Sequence, residues 1–227
     1  MGTKAKDALK VFIALLVLQG RLALADPAAP APSAELLAAC GRCHQPEDST
    51  SAPTAPHLDG QLRSYLVDSI DLLLAGKRPT RVENHLPPGL TRAQIVGLAN
   101  HYSALRLRRV VDETDPDKVL RGEMIYMERC MACHADSGRE TDNKGLGSPL
   151  LAGQRLAYLR EQIAAYLTKQ RQSWDVMKEN AFAGKPLAIN GNPVRDAIGP
   201  LGPADVDALA NYFASVPVAA ASGRRRR

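Results

Sequence analysis

Cys40-Gly41-Arg42-Cys43-His44 and Cys130-Met131-Ala132-Cys133-His134 decide how the chain is read, because they hold all four of its cysteines. No cysteine remains for a long-range disulfide, so the thiols serve a local purpose. In a C-x-x-C-H string two thiols three residues apart reach the two vinyl groups of a porphyrin, and the adjacent imidazole turns onto its iron. Two readings compete. A zinc site built from two CxxC pairs leaves both histidines unexplained, and exported thiols are poorly kept for zinc. A redox-active disulfide normally opens a helix after a strand, and no strand pattern precedes either string. The expected cofactors are therefore two covalently bound c-type haems. Cys40, Cys43, Cys130 and Cys133 are the attachment points, and His44 and His134 are the iron ligands.

Residues 1–25 carry a basic start at Lys4, Lys6 and Lys10, an apolar run from Val11 to Leu18, and Ala23-Leu24-Ala25 before Asp26. This is the pattern of a cleavable signal peptide. The run falls short of the ~20 residues of a membrane-spanning helix, although an uncleaved anchor would use the same stretch. Export to the periplasm puts the cysteines in an oxidising compartment. Cleavage leaves 202 residues and lowers the net charge from +5 to +2, with 25 basic against 23 acidic residues. Four of the positives are Arg224 to Arg227. The body is close to neutral, which argues against a nucleic-acid partner. The arginine tail reads first as solvated, with peripheral contact to anionic lipid as the alternative.

The second string lies 90 residues after the first, and the match continues beyond it. Pro56-His57-Leu58-Asp59-Gly60-Gln61 finds Pro149-Leu150-Leu151-Ala152-Gly153-Gln154 at offset 93, with Tyr65-Leu66 and Tyr158-Leu159 following. Leu98-Ala99-Asn100-His101-Tyr102 finds Leu209-Ala210-Asn211-Tyr212-Phe213 at offset 111. The growing offset places about 18 extra residues in the second copy, within Trp174 to Arg195. The expected organisation is a signal peptide at 1–25, a first domain at 26–108, a linker at 109–118, a second domain at 119–218 and a basic tail at 219–227. Apolar spacing is helical in both copies. Tyr65, Leu66, Ile70, Leu73 and Leu74 share one face, as do Leu159, Ile163, Tyr166 and Leu167. Thr91 and Asp205 are expected to cap or open the last helix of each copy, after loops broken by Pro79, Pro87, Pro88, Pro193 and Pro200. The fold class is all-α. Aromatics make up only 4% of the chain, which suits a centre filled by porphyrin.

On these residues the chain resembles the class I cytochromes c, and within them the two-domain, two-haem c4 type. The likeness rests on each C-x-x-C-H, on the Pro-x-Leu-x-Gly-Gln-x-x-x-Tyr-Leu string and on the Leu-Ala-Asn-x-aromatic helix, and it covers nearly all of the mature sequence. It implies that Gly122, in Gly122-Glu123-Met124-Ile125-Tyr126, lets the terminal helices of the second half cross closely. Ser33 to Ala39 hold that place in the first half. It also implies that Pro56 and Pro149 offer their carbonyls to the proximal imidazoles, which fixes the ring and raises its basicity.

The family supplies a methionine as second axial ligand from the loop before the last helix. In the second half Met177 is the candidate, since Met124, Met127 and Met131 lead into the proximal string; the plain alternative is a packing or surface thioether. The first half contains no methionine. His85 stands in the corresponding loop as the candidate there, against the alternative of an exposed loop histidine. His57 aligns with Leu150 beside the proximal proline, and His101 aligns with Tyr212 inside the last helix. Neither is a leading candidate. Axial methionine raises the potential and a second imidazole lowers it, so an electron would enter at the first haem and pass to the second. The resemblance implies a carrier serving membrane respiratory complexes and other redox proteins. The alternatives are the cytochrome subunit of a dehydrogenase, or a haem enzyme acting on a small substrate at the first haem, where only Glu83 stands near His85 as an acid-base group.

Overall fold

The computed structural model describes residues 29–44, 52–82, 85–107, 109, 112–131, 134, 138, 149–168, 170, 188–189, 192–193 and 199–218. The leader, Glu83, Cys133, Met177 and the arginine tail lie outside the described residues. Residues Ala31–Arg227 form one compact unit. Its helices among the described residues are α1 (Ala34–His44), α2 (Arg63–Leu74), α3 (Arg92–Ala104), α4 (Pro116–Arg129), α5 (Leu156–Leu167) and α6 (Pro203–Ser215). An antiparallel pair of two-residue strands, β1 (Ala188–Ile189) and β2 (Asn192–Pro193), falls inside the inserted segment of the second copy. Strands this short leave no periodic pattern to read. Among the described residues no helix is long and apolar enough to cross a membrane.

Each half packs three helices around its own core. In the first, Leu36 of α1 meets Leu66 and Val67 of α2 and Ile95, Leu98, Ala99 and Tyr102 of α3. In the second, Tyr126 of α4 meets Leu159 of α5 and Leu209, Ala210, Tyr212 and Phe213 of α6. The repeated Leu-Ala-Asn-x-aromatic string therefore supplies both cores. The expected face of α2 needs one correction. Leu74 is 50% exposed, and Leu72 is buried in its place.

The matched glycines share a backbone role. Gly60 has φ +67° and Gly153 has φ +62°, values that favour residues without a Cβ. The Gly60 N–H donates to the Tyr102 carbonyl and the Gly153 N–H to the Phe213 carbonyl, at 2.9 and 2.8 Å. In both halves the loop after the haem string is thus pinned to the end of the last helix.

Gly122 works differently. A Cβ there would stand 2.1 Å from the Ala208 oxygen of α6 and 2.7 Å from Tyr212 Cβ, so α4 and α6 cross backbone to backbone. Arg121 and Lys118 of α4 flank the crossing with ion pairs to Asp205 and Asp207, at 2.6 and 2.8 Å.

Thr91 caps α3 as expected. Its hydroxyl accepts the Gln94 N–H at 3.3 Å, and Gln94 Oε1 accepts the Thr91 N–H at 2.9 Å. Thr91→Ala is expected to cost about 1 kcal/mol, read as a lower denaturant midpoint with an unchanged slope. In the second half the cap residue is Gly202, with Pro203 opening the helix, and Asp205 accepts the Gly202 N–H at 3.1 Å from inside the first turn.

Candidate functional site

The last turn of α1 carries Cys40, Cys43 and His44. Spacings of three and four residues put all three on one side of the helix. Cys43 is exposed, Cys40 half-buried and His44 buried. Burial raises the Cys40 thiol above its ordinary range, against a smaller opposing effect of the Tyr102 hydroxyl. A redox-active CxxC needs the reverse, a lowered thiol at a helix start. Among the described residues no three His, Cys, Asp or Glu side chains converge as a group that could hold a bare metal ion.

His44 Nδ1 lies 2.7 Å from the Pro56 carbonyl oxygen. A carbonyl only accepts, so Nδ1 carries the proton and the Nε2 lone pair is left for a metal. Burial, opposed by the Pro56 bond and reinforced by His85 and Arg78, pushes His44 down to about 4 and keeps it neutral.

His85 stands opposite, its ring centroid 5.8 Å from that of His44 and its plane tilted by 55°. Thr80 Oγ1 accepts the Val82 N–H at 3.2 Å and lies 3.1 Å from His85 Nδ1, so the loop holds the second imidazole through that nitrogen. Burial, then the Arg78 charge, lowers the His85 pKa and favours the neutral, ligating form.

The two rings face a cavity of about 650 Å³ with Cys40 and Cys43 at one edge and Leu66, Ile70 and Leu98 among its walls. Apolar walls, two thiols at the rim and two neutral imidazoles facing each other fit a bis-imidazole c-type haem. Arg78, which no motif marks, is buried at the cavity and donates from Nη2 to the Tyr158 hydroxyl of the second half at 2.5 Å.

In the second half Cys130 caps α4, and the His134 N–H closes a further turn on the Cys130 carbonyl at 3.0 Å. The Tyr126 hydroxyl donates to the His134 carbonyl at 2.9 Å, tying the haem string to the core. Met124, Met127 and Met131 are 68%, 54% and 51% exposed. His101 packs edge-on to Tyr102 at 5.1 Å. His57 is buried beside the proximal proline, its backbone held from the other half.

The Cytochrome c family model matches residues 119–217, the half that carries the second string. The chain is a dihaem electron-transfer cytochrome similar to cytochrome c4. Cytochrome c4 of Pseudomonas aeruginosa is 28% identical over 166 residues, covering 69% of this chain and 81% of that protein. Cytochrome c4 of Stutzerimonas stutzeri is 27% identical over 226 residues, covering 90% and 97%. The crystal structure of reduced cytochrome c4 from Pseudomonas stutzeri superposes with a TM-score of 0.60 at 24% identity, over 82% of this chain and all of that one. The cytochrome therefore consists of two tandem class I cytochrome c domains, with two covalently bound haems.

Proposed function

We propose that this cytochrome is an exported carrier of the periplasm, moving electrons from a membrane respiratory donor complex to a terminal acceptor. Cys40, Cys43, His44 and His85 hold the first haem, and Cys130, Cys133, His134 and Met177 the second. Domains at 26–108 and 119–218 are joined by a linker at 109–118, behind a leader at 1–25 and ahead of a basic tail at 219–227. The haems supply reversible one-electron chemistry. The chain attaches them, orients the proximal rings and chooses the second ligands.

The observation that carries this reading is the approach of His85 to His44 across the first cavity, at 5.8 Å. A haem closed on both faces by protein ligands exchanges electrons and offers no open position to a substrate. Docking through exposed haem edges, in a weak and salt-sensitive encounter, suits turnover with several redox proteins.

Expression with a haem-maturation system tests the assignment. Intact mass should exceed the processed chain by two porphyrins, and C40A/C43A by one. A colourless product, or an unchanged haem count in C40A/C43A, would overturn it.

A further inference from the structure

We propose that Gln154, in the second half, tunes the proximal ligand of the first haem through a single peptide group. The inference rests on the reading that His44 holds the first iron. The peptide joining Pro56 to His57 has two partners. Its carbonyl oxygen accepts from His44 Nδ1 at 2.7 Å, and its N–H donates to Gln154 Oε1 at 2.7 Å. Gln154 Nε2 in turn donates to the His57 carbonyl at 3.0 Å, so the side chain grips that residue from both sides. Gln154 is itself 3% exposed, and its oxygen also takes the Arg155 N–H at 3.1 Å.

Hydrogen bonds at the two ends of one amide reinforce each other. Donation from the N–H shifts electron density to the carbonyl oxygen, which becomes a stronger acceptor. A stronger acceptor draws the His44 Nδ1 proton further and gives the ring more anionic character, hence a stronger donor to ferric iron. Gln154 thus lowers the potential of a haem bound in the other half. It is a positioning residue that acts through Pro56 and His44.

The fold provides a control. Gln61, the counterpart of Gln154 at offset 93, grips Leu150 in the same way: its Nε2 donates to the Leu150 carbonyl at 3.0 Å and its Oε1 accepts the Leu150 N–H at 2.9 Å. Removing either glutamine costs the contact between halves two bonds. Only Gln154 touches the peptide that holds His44.

The test is a redox titration followed by paramagnetic resonance, in which the first haem is recognised by its imidazole–imidazole signal. If the unaltered protein lacks that signal, the ligand assignment fails before any variant is made. Gln154→Met keeps the volume and loses both bonds. It is expected to shift the Fe(II)/Fe(III) ratio of the first haem about threefold toward Fe(II), ~28 mV upward at 59 mV per tenfold. Gln154→Glu keeps the acceptor and strengthens it, and should shift the ratio the other way. Gln61→Met should leave the first haem where it was. Q154M and Q154E moving the potential in the same direction, or Q154M matching Q61M, would sink the proposal.

Discussion

Gly122→Ala is expected to destabilise the second half by about 3 kcal/mol, the upper part of the usual range for overpacking. The added carbon would stand 2.1 Å from the Ala208 oxygen and 2.7 Å from the Ala208 carbonyl carbon. Both are backbone atoms of α6, so no rotamer change relieves the contact and the helices must separate. Separation loosens Tyr126 and Tyr212, whose rings lie 5.2 Å apart at the crossing, and with Tyr126 the bond that steadies the His134 carbonyl. Chemical denaturation should show an early loss of the second half's haem environment. Glu123→Ala, on the exposed side of the same helix, should change stability by no more than ~0.5 kcal/mol. Equal midpoints for the two variants would show that the crossing is not tight.

His85→Met should raise the potential of the first haem by on the order of 100 mV, within the ~0.8 V range that axial ligands span. Thioether ligation favours ferrous iron and imidazole favours ferric iron. The imidazole–imidazole resonance signal should disappear, and the two haems should draw together in potential. His85→Ala leaves no such replacement, and the reduced protein should then bind carbon monoxide rapidly at one haem. An unaltered spectrum in both variants would return His85 to the standing of a loop histidine held by Thr80.

The parts of this architecture legible in the sequence are those in which one residue type has a single structural use. Gly122 could be read through the family resemblance, and the structure gives the reason, since only a residue without a side chain admits the backbone of α6 there. The same holds for Gly60 and Gly153, whose positive φ and bonds to Tyr102 and Phe213 explain why Gly recurs at offset 93. Thr91 could be read as the cap of α3, and the bond that Gln94 returns to it is seen in the structure. The reach of Gln61 and Gln154 was not legible, although both stand in the repeated string, because their partners lie 89 and 97 residues away and nothing local distinguishes a buried clasp from a surface amide. Arg78 and Thr80 were hidden for a similar reason. Their roles depend on where the His85 loop folds back over α1, and that path follows tertiary packing. Leu74 was misplaced because a face read by spacing takes no account of where the helix ends, and α2 stops at Leu74.

The glutamine bonds also bear on how the molecule is assembled. Each half builds its helices and core from contacts within itself, whereas these four bonds join one half to the other, and the entropic cost of closing such long loops grows only slowly with length. The halves are expected to collapse separately, the first before the second is complete, and to lock together last. Maturation machinery would then meet the first CxxCH string in an isolated lobe, with the second lobe not yet in place to seal its proximal flank.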